Sequence, residues 1–168
     1  MREVFSFPNP VNEKAARVVA AGVLVLSALA LVTSWYWLLA VLAYGFLART
    51  LTGPTLSPLG RLATGILAPR LGPPKYVPGP PKRFAQTIGA VLSTSGAILA
   101  LGFGRHGVAD GMLAVLIVAA GLESIFAVCL GCHVFGLLIR VGVIPDRVCA
   151  ECTDIWSKTS PGRSPEPA

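Results

Sequence analysis

The chain has 168 residues, 54% of them apolar and 13% charged, with a net charge of +6 and a mean hydropathy of +0.69. Soluble domains run near about 45–50% apolar and about 25% charged, so this balance excludes an ordinary soluble domain, and the apolar content excludes a disordered chain. One small membrane domain remains: at about 20 apolar residues per spanning helix, the length holds four spans and short connections, with no separate catalytic domain.

In chain order, Val18 to Ala48 is a charge-free run of 31 positions. As one helix it would be about 46 Å long, well beyond a hydrocarbon core of roughly 30 Å. The run therefore predicts a tight hairpin of two short spans, about Ala15 to Val32 and Trp35 to Ala48, turning at Thr33-Ser34. Trp35, Tyr36 and Trp37 then fall at interfacial depth. The alternatives are one long tilted helix, or a signal peptide with the small-x-small pattern Ala28-Leu29-Ala30. Against the second, a cleavage site opens into polar chain, whereas here the apolar run continues.

From Arg49 to Lys82 the composition changes to Pro and Gly, and Pro73-Pro74 and Pro80-Pro81 predict an extended second half. Within it, Leu59, Leu62, Ile66 and Leu67 recur at helical spacing beside Arg61 and Arg70, as in a short helix lying among headgroups. Arg49, Arg61, Arg70, Lys75, Lys82 and Arg83 give this loop its charge with no acid among them. Such a loop is held on the cytoplasmic side and contacts anionic lipid. No aromatics interleave with the charges, so nucleic acid is not an expected partner.

Phe84 to Phe103 is the third span, bounded by Lys82-Arg83 and Arg105. Its Gln86, Thr87, Ser93, Thr94 and Ser95, with Gly89 and Gly96, fit close helix packing. The fourth run, Gly111 to Ile139, holds Glu123 and His133, and a span counted from Gly111 leaves the bilayer near Leu130. Four spans with a cytoplasmic basic loop place both termini in the cytoplasm. The expected class is an all-α polytopic membrane protein of about four transmembrane helices, with a basic Pro/Gly-rich loop between the second and third. Residues 1–140 form that domain, and 141–168 a tail with a disordered end.

All four cysteines lie in two pairs, Cys129-x2-Cys132 and Cys149-x2-Cys152, separated by 16 residues. The spacing suits a zinc tetrathiolate. It equally suits a dithiol in which one sulfur attacks and its neighbour resolves. If the fourth helix runs on through the motif, Cys129, Cys132 and His133 share one face at i, i+3 and i+4. His133 can then lower a thiol pKa, accept a proton or serve as a ligand. Gly142 and Pro145 break the helix after Arg140, and the linker is long enough for Cys149 and Cys152 to fold back. Cys129-x-x-Cys132-His133 also fits covalent haem attachment, but on the side of the membrane where attachment is not expected. Glu123, the one carboxylate in the fourth span, is expected to hydrogen-bond the Ser, Thr and Gln residues of the third. Six residues before Cys129, it is placed on another helix face and away from the thiol chemistry.

Asn9-Pro10-Val11-Asn12, Ser57-Pro58-Leu59, Gly72-Pro73-Pro74, Arg83-Phe84-Ala85-Gln86 and Phe126 with Cys129-Leu130-Gly131-Cys132 together resemble a family of small bacterial membrane proteins, an uncharacterised domain of unknown function. The likeness covers roughly Asn9 to Arg140. It implies a CLGC-type motif at the end of the last helix, and association of some members with rhodanese-like or thioredoxin-like proteins. From the resemblance follows an expectation of sulfur or thiol handling with such a partner, at a bacterial inner membrane. The leading expectation is thiol redox or sulfur transfer through Cys129 or Cys132, aided by His133, with Cys149 and Cys152 as a second relay pair. The alternatives are a zinc-braced scaffold holding the metal on all four cysteines, and a small transporter built on Glu123.

Overall fold

The structure is a computed structural model and describes residues 9–145. Its helices are α1 (Glu13–Thr33), α2 (Trp37–Thr52), α3 (Pro58–Leu62), α4 (Ala68–Arg70), α5 (Gly79–Ala97), α6 (His106–Phe126) and α7 (Leu130–Arg140). Wider π-type turns at Ala63–Leu67 and Ile98–Gly102 join α3 to α4 and extend α5. Two-residue strands, β1 (Val11–Asn12) and β2 (Tyr76–Val77), pair antiparallel and tie the entry of α1 to the entry of α5.

The expected hairpin forms where the charge-free run is too long for one span. Thr33 ends α1, Ser34 turns the chain at φ 56°, and Trp37 begins α2. Among the described residues, three helices are long and apolar enough to cross a membrane: Glu13–Thr33, Gly79–Gly102 and His106–Phe126. The second member of the hairpin, α2, is apolar but shorter, at 16 residues. The chain is thus an all-α membrane protein.

Helices α1, α2, α5 and α6 close a ring in which each packs on the next and α6 returns to α1. Its core is Val19, Val23, Leu38, Leu39, Leu42, Phe46, Leu113 and Leu116 with small residues between them. Close approach depends on those small residues. A Cβ on Gly89 would come within 2.3 Å of the Phe46 ring, so α2 meets α5 only because residue 89 has none. Outward-facing Val25, Val32, Val91, Val115 and Val118 are exposed, as suits a bundle whose solvent is lipid.

Two local expectations are corrected. Pro80 and Pro81 are not extended but lie in the first turn of α5, which begins at Gly79. A first turn needs no internal N–H donors, so proline is tolerated there. Arg49 and Lys82, read as loop charges facing lipid headgroups, are 6% and 8% exposed and lie inside the bundle. The short helix beginning at Pro58 is present. Ser57 caps it by accepting the Gly60 N–H at 3.2 Å, and Leu59 seats it against Gly22 of α1.

Candidate functional site

The bundle has one basic end, where α1 and α5 begin and α2 and α6 finish. Four ionisable side chains there lie inside or beside the helices. Arg17 reaches from α1 to the last carbonyls of α6, donating to Ser124 O at 3.1–3.2 Å and Ile125 O at 3.2 Å. Those carbonyls have no partner within the helix, so the guanidinium caps α6 and favours its ending there. Ala127 then adopts φ 58°, and the Val128 N–H turns back to Leu122 O at 3.1 Å.

This ending overturns the expectation of a continuous fourth helix. The chain leaves α6 at Phe126, and Cys129, in extended conformation, becomes the N-cap of a new helix, α7. Its Sγ accepts the backbone N–H of Cys132 at 3.3 Å. Cys129, Cys132 and His133 are therefore not three neighbours on a spanning helix. They are a cap and two first-turn residues, and Cys129 lies where the free N–H groups of α7 concentrate positive potential. Gly131 makes this geometry possible: a Cβ there would lie 2.5 Å from the Cβ and 2.6 Å from the Cα of Ala85 on α5. Phe135 packs on Phe84 with ring centroids 5.5 Å apart, and with Ile139 forms the buried side of α7. Leu130, Val134 and Leu137 face outward at helical spacing.

The two described cysteines are free thiols, Cys129 buried and Cys132 partly exposed. Hydrogen bonding from the Cys132 thiol draws the Cys129 thiol below its ordinary pKa, helped by the Lys82 charge and the Cys132 N–H and opposed by burial and Glu123. The same bond, with burial, pushes Cys132 up. The pair is thus divided into a sulfur disposed to be thiolate and one that keeps its proton.

Glu123 is also relocated. Its partner is Lys82, with Nζ to Oε1 at 2.5 Å and side chains 10% and 15% exposed, rather than the hydroxyls or amide of the third span. An acid inside a bundle needs a partner at its own depth, and Lys82 enters α5 at the end where α6 finishes. Glu123 is not remote from the thiols either. With Cys129 and Gly131 it lines a mostly apolar cavity of about 210 Å³, whose walls include Val19, Phe46, Leu92 and Leu116. Both Glu123 and Lys82 act electrostatically on Cys129 and Cys132.

The chain belongs to the DUF4395 family, a domain of unknown function, whose profile matches residues 11–140. No curated protein and no solved structure shows a significant match.

The family region thus includes Cys129, Cys132, His133 and Glu123, and it ends at Arg140 with α7. Cys149 and Cys152, expected to fold back on the first pair, lie outside the described residues, as does any four-cysteine metal site. Among the described residues, no three of His, Cys, Asp and Glu cluster closely enough to hold a metal ion. His133 is exposed, and its ring Nδ1 lies 3.0 Å from Cys129 O, so the ring is bound to the motif's backbone rather than to sulfur. In the neutral tautomer with hydrogen on Nδ1, that nitrogen donates to the carbonyl.

Sequence reasoning missed Arg17, Lys82 and Gly131 as makers of this site. Two signals were present. Arg17 directly precedes the charge-free run, and Lys82 stands two positions before the third span, at the end where Glu123 must lie.

Proposed function

We propose that the CxxC motif of this DUF4395 chain is a membrane-bound thiol–disulfide centre that exchanges disulfide or persulfide sulfur with a partner protein, at the cytoplasmic face of a bacterial inner membrane. The observation that carries this reading is the placing of Cys129 as N-cap of α7, with its sulfur accepting the Cys132 N–H at 3.3 Å. A helix start lowers the pKa of a cysteine because its unpaired N–H groups stabilise negative charge.

In the exchange, the Cys129 thiolate attacks one sulfur of a partner disulfide, forming a mixed disulfide and releasing the other partner sulfur as a thiolate, which takes a proton. Cys132 then gives up its proton and attacks Cys129 Sγ. The Cys129–Cys132 disulfide forms and the partner leaves with both sulfurs reduced, two electrons having passed from the pair to the partner. With a partner persulfide, the same thiolate takes the outer sulfur and the partner departs as a thiol. His133 supports the first turn through the Cys129 carbonyl. The basic residues Arg61, Arg70 and Lys75 of the loop between α2 and α5 support the cytoplasmic orientation by the positive-inside rule. A rhodanese-like or thioredoxin-like protein has the chemistry of the partner, and Cys149 and Cys152 are the candidates for a second relay pair.

The test is a trapping experiment on the purified, anaerobically reduced chain. With an excess of a model disulfide, Cys132→Ser should accumulate a mixed disulfide at Cys129, and the wild type should form the Cys129–Cys132 bond and release two thiols. One zinc per chain, with all four thiols shielded from alkylation, would overturn the proposal in favour of a structural metal site.

A further inference from the structure

A second cavity, a crevice of about 240 Å³ with mostly apolar walls, lies at the basic end between α1, α2, α3 and α5 and shares Val19 and Gln86 with the cavity beside Cys129. Its walls include Asn12, Arg49, Gly60, Thr64, Lys82 and Gln86, and none of its lining residues is acidic. Arg49 is 6% exposed there. Its Nε donates to Gln86 Oε1 at 2.9 Å and its Nη1 to Ser57 Oγ at 3.1 Å, while the guanidinium carbon lies 4.7 Å over the Phe46 ring. Both hydrogen-bond partners are neutral. Its Nη2 is buried with no hydrogen-bond partner. The carboxylate whose field reaches Arg49 is Glu123, and Glu123 is already paired with Lys82.

A buried guanidinium is stable when a charge of opposite sign accompanies it and its donors are filled. Among the described residues Arg49 has neither in full: the Lys82–Glu123 pair is neutral, which leaves the Arg49 charge uncompensated. The fork of N–H donors is the group best matched to carboxylate and phosphate-like oxygens. We propose that this crevice binds a small oxyanion, with Arg49 as its charged anchor and its Nη2 as the donor held ready. The volume admits a sulfate- or phosphate-sized group. That group can be a free anion or the phosphate of an anionic lipid whose tails lie outside.

The experiment follows thermal unfolding of the full chain in maltoside micelles, which hold no phosphate, at constant ionic strength. Sulfate or inorganic phosphate exchanged against chloride should raise the Tm saturably, identifying a free anion. A rise on adding phosphatidylglycerol to the micelles, with no response to the free ions, identifies the phosphate of an anionic lipid. In either case Arg49→Gln should remove the response and Arg49→Lys should retain part of it. Should Arg49→Gln fail to fold, Thr64→Leu fills the crevice from an exposed position and leaves the guanidinium in place. By occupying space the anion needs, it should weaken binding roughly tenfold or more. No response to any of the three probes, or a response that Arg49→Gln and Thr64→Leu both leave intact, would overturn the site.

Discussion

The two ends of the bundle solve the same problem in opposite ways. At the end where α1 turns into α2 and α5 into α6, polar groups stay at the rim. Tyr36 donates to Asp110 Oδ1 at 3.0 Å and stacks on His106 with ring centroids 4.5 Å apart, while Trp35 and Trp37 are 52% and 53% exposed. At the basic end, charges enter the interior: Lys82 with Glu123, Arg49 among Gln86, Ser57 and Phe46, and Arg17 on the carbonyls of α6. The first end is a closure that aromatic and backbone contacts make without burying charge. The second retains buried charge at a cost, and buried ionisable groups in a membrane domain mark the part that acts.

The largest effect should come from breaking the charge pair. Lys82→Met leaves Glu123 inside the bundle without its cation, a change that typically costs about 3–5 kcal/mol. The double variant Lys82→Met with Glu123→Leu should recover most of that loss, because replacing both partners by apolar groups removes the uncompensated charge. At the other end, Tyr36→Phe loses one rim hydrogen bond and should cost about 0.5–1.5 kcal/mol. Denaturant unfolding in one detergent gives all three values. Equal losses for Lys82→Met and Tyr36→Phe would erase the contrast between the two ends.

Next in size is Gly131→Ala, which tests whether α7 is held against α5 by close backbone approach. The added methyl would overlap Ala85, so either α7 shifts or the bundle strains, at about 1–3 kcal/mol. Gly121→Ala is the comparison, since a Cβ there meets only Leu24 Cδ1 at 3.9 Å, an ordinary contact. The expected outcome is a larger loss for Gly131→Ala, together with faster alkylation of Cys129 as its buried side opens. Similar values for both glycines would show that α7 is loosely held.

Much of the scaffold was legible in the sequence, and the reason is length. A charge-free run longer than a bilayer must fold back, and Thr33-Ser34 beside three aromatics marked the place. The same kind of count failed at the other end of the chain. Between Gly121 and Gly131 no Gly or Pro announces that α6 stops at Phe126. The stop depends on Arg17, 107 positions away from Ser124 in the chain, and on the fit of Gly131 to Ala85. For the site, the cysteine spacing identified the chemistry, but the N-cap placing of Cys129 follows from that unannounced stop. Glu123 was recognisable as an intramembrane acid. Its partner was not, because Lys82 at a span boundary reads equally well as a headgroup contact.

A smaller effect is expected within the dithiol itself. Cys132→Ala removes the donor that lowers Cys129, so the Cys129 pKa should rise and its alkylation at pH 7 should slow by roughly tenfold, about one charged hydrogen bond. Cys132→Ser keeps an O–H donor and should hold the wild-type profile. The sign for stability follows from the direction. A thiol whose folded pKa is lowered contributes stability above its unfolded value, and that contribution is lost as pH falls through the folded value. Cys132→Ser and Cys132→Ala both remove the opposing titration of Cys132, so Cys132→Ser, which keeps the donor, should gain stability over Cys132→Ala as pH rises through the ordinary cysteine range. An identical dependence in both would remove the asymmetry between the two sulfurs.

The smallest expected effect decides what His133 does. Its Nδ1 lies 3.0 Å from the Cys129 carbonyl, so His133→Ala should cost about 0.5–1.5 kcal/mol, the worth of one hydrogen bond. Because the ring's contact is to backbone, the alkylation profile of Cys129 should keep its midpoint in this variant. A histidine acting as base toward sulfur would behave differently: its removal would slow the alkylation of Cys129 and move that midpoint. The same variant also measures the contrast between the ends. If His133→Ala and Tyr36→Phe cost alike while only Lys82→Met costs several times more, the buried ion pair beneath the thiols sets the basic end apart, and the rim contacts around it do not.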